Sequence, residues 1–185
     1  MLDAMGTVSR RRSPRLCLAG VLACLLSAGC AGAKDTDRME TRTPQQAAAD
    51  FLPRVEQVLS ALSITRESLE VRANRCEGAQ GEQRDDLFYV WVGLRGRAQA
   101  NDIAPQIEAA HARWQQQGWD IGRFRKLDNG GVNLTATEPA TGNTYTLDSG
   151  FKPDPDAYLA AFFNTPCFRS PEGQVAFGEL HLPPT

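Results

Sequence analysis

The chain has 185 residues, 42% of them hydrophobic, with 20 basic against 22 acidic side chains and a formal net charge of −2. That length suits one domain able to bury a real core, and two domains are not expected. The charge balance lacks the basic footprint that holds a nucleic-acid backbone, so nucleic acid is excluded as the expected partner.

In chain order, the first feature is a basic segment, Arg10, Arg11, Arg12 and Arg15, followed by an apolar run from Leu16 to Leu26. The run is too short to span a bilayer as a mature helix, which makes it the core of a secretory leader. It closes on Leu25-Leu26-Ser27-Ala28-Gly29-Cys30, with small residues for a narrow peptidase site and a thiol at Cys30 as the nucleophile that a diacylglyceryl group would alkylate. Residues 1–29 are therefore expected to be a lipoprotein signal peptide, with lipidated Cys30 as the first mature residue. The remaining 156 residues carry a net charge near −5, so membrane attachment would come from the lipid and not from charge. Each buried methylene contributes roughly 0.8 kcal/mol to such an anchor. Cys17 and Cys24 leave with the leader and Cys30 is acylated, so Cys76 and Cys167 are the remaining thiols. In an oxidising compartment, with no ligand-spaced His or Cys beside either, they are expected to form one disulfide.

Residues 30–43 are small, polar and charged, and read as a flexible tether. A single domain is expected over residues 44–168. Thr43, Pro44 and Gln46 form a helix start with a capping box, and Phe51, Val55, Leu59 and Leu62 line one apolar face. Pro53 predicts a kink or restart near Leu52. Leu69, Val71 and Ala73 alternate with polar residues in a strand ending at Cys76, and a polar loop spans Glu77 to Asp86. Leu87 to Leu94 is apolar at nearly every position, which predicts a central strand covered on both faces. Asn101 or Asp102 caps a second helix with Ile103, Ile107, Ala110 and Trp114 on one face, terminated at Gly118. A strand from Trp119 to about Arg125 then turns at Asp128-Asn129-Gly130-Gly131 into Val132, Leu134 and Ala136. A second turn, Glu138 to Asn143, leads to a strand from Thr144 to Ser149. Tyr158 to Phe163 reads as a strand, with a short helix as the alternative. Residues 169–185 form a tail with one edge strand expected near Val175 to Phe177. The fold class is α+β, a largely antiparallel sheet of about five to six strands with two main helices packed on one face.

No catalytic, metal-ligating or cofactor motif follows Cys30. His111 and His181 lack a ligand-spaced neighbour. Asp85 and Asp86, or Asp148, Asp154 and Asp156, offer paired carboxylates for a wall-polymer hydrolase, but read more simply as solvated loop acids. Asn129-Gly130-Gly131 is a turn and lacks the Lys-Ser/Thr ending of a phosphate cradle; Ser149-Gly150 lacks the glycines of a nucleophile elbow. Tyr89, Trp91 and Trp114 are the candidate ligand-binding residues, placed where the second helix would cross the central strand, against the alternative that they are packing.

The Cys30 lipobox, a strand ending at Cys76, the helix closure Gln117-Gly118-Trp119, a β meander and Thr165-Pro166-Cys167-Phe168 together resemble the small actinobacterial lipoproteins of unknown function. The resemblance implies at least two acyl chains on Cys30 and an extracytoplasmic, membrane-held location. It transfers no catalytic residue. The expected function is a non-catalytic binding or accessory domain of the cell envelope, with an envelope protein or small ligand as partner; a carboxylate-based hydrolase and a purely structural component are the competing readings.

Overall fold

Thr43 and Gln46 start the first helix by satisfying each other's backbone. The Gln46 N–H donates to Thr43 Oγ1 at 3.2 Å, and the Thr43 N–H donates to Gln46 Oε1 at 3.1 Å, so the expected capping box forms. In the computed structural model, which describes residues 39–78, 80–98, 102–151 and 157–181, this helix, α1, runs over Pro44–Ala61. The restart expected near Leu52 does not occur. Pro53 and Ala49 both lie on the exposed side of α1, where a carbonyl without its helical donor is open to solvent, and the helix continues through the proline despite the lost bond. Ala47, Ala48, Phe51, Val55 and Leu59 form the buried face.

The second helix, α2, spans Ile103–Gln116 and buries Ile103, Ile107, Ala110 and Trp114, the four residues its periodicity selects. It ends in a Schellman arrangement. Gly118 takes φ +76°, its N–H donates to the Gln115 carbonyl at 3.0 Å, and the Trp119 N–H donates to the Trp114 carbonyl at 2.9 Å. The apolar contact that accompanies this motif is made by the same pair, since the Trp114 and Trp119 rings stack at 4.7 Å with 10° between their planes.

The strands are β1 (Ile64–Glu77), β2 (Gln83–Ala98), β3 (Asp120–Lys126), β4 (Val132–Thr137), β5 (Thr144–Ser149), β6 (Tyr158–Asn164), β7 (Phe168–Arg169) and β8 (Gly178–Glu179). They form one eight-stranded sheet in the order β3-β4-β5-β6-β2-β1-β8, with β7 also paired to β2, and these strand pairs are antiparallel. The fold is α+β, as expected, with a larger sheet than five to six strands. The additional strands are β7 and β8, both only two residues long. They place the chain after residue 168 inside the domain: Gly178 pairs with Ala73, Leu180 is buried, and Val175 and Phe177 pack on the core. The edge strand expected near Val175 to Phe177 falls instead at Gly178–Glu179, because a two-residue pairing carries no alternating pattern to fix its position. The β1–β2 hairpin also extends beyond the expected strands, to Ile64 on one side and Ala98 on the other. Tyr158–Asn164 is a strand, which decides that alternative.

Both helices cover one face of this sheet. Tyr145 on β5 shows it, because its ring meets Phe51 of α1 at 6.2 Å and Trp114 of α2 at 6.1 Å. Val90, Val92, Leu134, Leu147, Leu159 and Phe163 point the same way and are fully buried, each such side chain contributing roughly 1.5–3 kcal/mol. The disulfide joins Cys76, at the end of β1, to Cys167, just before β7, with Cα atoms 6.2 Å apart. It closes the hairpin and the meander into one loop with a sequence separation of 91 residues.

Candidate functional site

Strand parity decides which side chains of β2 meet the helices. Phe88, Val90, Val92 and Leu94 occupy the buried face, so Tyr89, Trp91 and Arg95 project from the other side of the sheet. Among the described residues no helix covers that side.

There the register assembles cross-strand rows from distant parts of the chain. Gly93 of β2 lies between Glu70 of β1 and Phe162 of β6, and Phe162 faces Thr146 of β5, which faces Thr135 of β4. One row along, Trp91 lies between Arg72 and Asn164. The Trp91 indole reaches along its own strand to position 93, where an added Cβ would stand 2.1 Å from its Cη2 atom. Glycine at 93 is thus what lets the indole lie down on the sheet. Its ring stacks beside Phe162 at 6.0 Å, with 27° between the planes, and Phe162 remains 39% exposed. Phe151, 41% exposed, meets Tyr158 edge-on at 6.0 Å and continues the aromatic strip.

This strip floors a shallow groove of about 490 Å³, with Ser68, Glu70 and Arg95 among its polar lining. Glu70 accepts a hydrogen bond from Arg72 at 3.1 Å, which neutralises it. Arg95 is exposed and has no carboxylate partner among the described residues. Beyond Phe162 the surface turns hydroxylated: Thr135 pairs with Thr146, and Thr137 with Thr144, each at 3.1 Å.

Of the three candidate ligand-binding residues, the structure keeps Tyr89 and Trp91 on one side of the sheet and puts Trp114 on the other. The helix carrying Trp114 packs on β3, β4 and β5, so it does not cross the strand at Trp91 as expected. Trp114 is 3% exposed and sits in a cluster with Trp119, Tyr145 and the core. Tyr89 accepts a hydrogen bond from Asn74 at 3.4 Å, outside the groove. The residues that share the groove with Trp91, namely Gly93, Phe162 and Arg95, were missed because Leu87 to Leu94 reads as covered on both faces and Phe162 arrives only through the β2–β6 register. The signal that marks them is the alternation of Trp91 and Arg95 with the buried valines.

Trp114 also borders a second cleft, about 310 Å³, between α1 and α2, with Arg54, Arg113, Trp119, Glu138 and Tyr145. Burial there pushes the Tyr145 hydroxyl up to about 12, and its oxygen accepts a long hydrogen bond from Asn143. The Tyr145 hydroxyl is therefore a packed group and not an acid at neutral pH.

The acids considered for catalysis are held apart. Asp85 pairs with Arg75 at 2.7 Å, Asp86 with Arg84 and Arg169 at 2.8 Å, and Asp148 with Arg123 at 2.8 Å. Asp154 and Asp156 lie outside the described residues, as does Cys30. Ser149 is buried, accepting from the Val132 N–H at 2.9 Å and donating to its carbonyl at 3.3 Å, so its hydroxyl is structural. His111 stacks flat on Phe124 at 3.7 Å. His181 is exposed in the tail. The groove over Trp91 and Phe162 is the candidate site. No protein-family model matches the chain, and neither a curated protein nor a solved structure matches it.

Proposed function

We propose that this chain is a lipid-anchored, extracytoplasmic domain that captures a ligand without transforming it, and that the open face of the sheet is its binding surface. The observation that carries the reading is the exposed aromatic strip, with Trp91 laid over Gly93 beside Phe162. An indole kept partly exposed on a central strand offers large contact area at low entropic cost, which is what binding surfaces use aromatics for. The strip stands on β2 and β6, adjacent strands in the middle of the sheet, so it is preorganised. The Leu25–Cys30 lipobox supports the anchor, and the Cys76–Cys167 disulfide fits an oxidising compartment.

The reading is tested by ligand retention. The full chain, purified from its own envelope extract and denatured, should release a compound identified by mass spectrometry in unaltered form after prolonged incubation. The double variant Trp91→Ala with Phe162→Ala should release none. Equal retention by the variant would remove the open face as the site, and conversion of the compound during incubation would make the protein an enzyme.

A further inference from the structure

The groove has more chemistry than an apolar patch, and its polar partners narrow what it accepts. Its floor includes two adjacent rings, Trp91 and Phe162, whose centroids are 6.0 Å apart with 27° between their planes. Flat, adjacent aromatic faces of this kind match the apolar C–H faces of consecutive sugar rings. The flanks match the sugar's edges: Asn164 beside Trp91 and Thr146 beside Phe162 supply amide and hydroxyl groups in the adjoining strand positions. A lipid surface would be met badly here, since ion pairs of both signs, Glu70–Arg72 and Asp148–Arg123, flank the strip. A nucleic acid is a poor match here, because the groove lining holds a single guanidinium, Arg95, and not the row of cations that tracks a phosphate backbone.

Charge then selects among saccharides. Arg72, Arg97 and Arg123 each have a carboxylate, on Glu70, Glu67 and Asp148 respectively. Arg95, which lines the groove, has none among the described residues. With Glu70 paired to Arg72, the described lining of the groove keeps one unpaired positive charge, on Arg95, and a guanidinium offers a carboxylate a planar, two-pronged partner.

We infer that the ligand is an acidic oligosaccharide, with consecutive rings on Trp91 and Phe162 and a sugar carboxylate on Arg95. The inference rests on the open face being the binding surface. Calorimetry on the detergent-solubilised full chain tests it with cellohexaose, with its C6-oxidised counterpart cellouronate, and with dihexanoyl phosphatidylglycerol. The wild type should bind cellouronate at least about tenfold more tightly than cellohexaose. Arg95→Gln, an exposed substitution that leaves the core untouched, should abolish that preference by weakening cellouronate alone. Trp91→Ala and Gly93→Ala, the latter by displacing the indole, should each weaken both sugars at least about tenfold. Equal affinity of the wild type for the two sugars, no binding of either, or binding of the phospholipid alone would overturn the inference. In each of those cases the retention experiment still decides whether the open face binds something else, so the two failures are separable.

Discussion

The indole of Trp91 fills the space where a side chain at residue 93 would begin, with its Cη2 atom 2.1 Å from an added Cβ. This relationship between two residues of one strand puts a large aromatic ring flat on the outside of the sheet. It also separates two tryptophan environments that the sequence alone places together.

That separation has an energetic signature. Trp114 is 3% exposed and stacked on Trp119 at 4.7 Å, so Trp114→Ala should cost about 3–5 kcal/mol in denaturant melting. Trp91→Ala removes a partly exposed ring from the open face and should cost about 1 kcal/mol or less. Equal losses for the two variants would show that the open face is not open in solution.

The disulfide makes a second prediction. Cys76→Ser should lower stability by about 2–5 kcal/mol, because the bridge constrains a loop whose ends are 91 residues apart. Intact-mass measurement of the native protein should give a gain of about two mass units on reduction, one hydrogen for each sulfur of the bond. No gain, with both thiols alkylated before reduction, would contradict the bridge.

Acid should loosen the segment that holds β7 to β2. Arg84 donates Nε and Nη2 to the two Asp86 oxygens at 2.8 Å each, and Arg169 Nη1 adds a third bond at 2.8 Å. These contacts, led by the Arg84 hydrogen bonds, hold the Asp86 carboxyl below its ordinary value. A carboxyl depressed in the folded state contributes stability above its unfolded value, near 3.9, and that contribution is lost as pH falls through the folded value. Asp86→Asn should therefore melt below wild type at neutral pH, with a difference that shrinks as the pH is taken below about 4. A difference independent of pH would assign the effect to geometry and not to charge.

The anchor is tested by fractionation. Cys30→Ala should move the protein out of the carbonate-washed membrane fraction, since no lipid could then be attached. Retention of the variant there, with its leader shown to be removed, would contradict lipidation at Cys30.

Local rules made much of this fold legible. The Thr43–Gln46 box, the Gly118 terminator and the apolar faces of both helices each depend on residues close together in sequence, and each appears where those residues place it. The Cys76–Cys167 pairing was legible by elimination of the other thiols. The candidate site was not, because it depends on register. Phe162 reaches Trp91 only because Gly93 pairs with Phe162 across β2 and β6, which are separated by α2 and three further strands. In sequence, Trp91 stands in an apolar run and is grouped with Trp114; the period of two, Val90 and Val92 inward and Trp91 outward, is what divides them.

The most direct measurement of the central claim is the NMR spectrum of the three indole N–H groups of the full chain, assigned with single Trp→Phe variants and titrated with soluble envelope extract. The Trp91 signal should shift while Trp114 and Trp119 hold still, and Gly93→Ala should abolish the shift. A titration that moves Trp114 and Trp119 and leaves Trp91 in place would contradict that claim, and would put the binding surface in the cleft between the two helices.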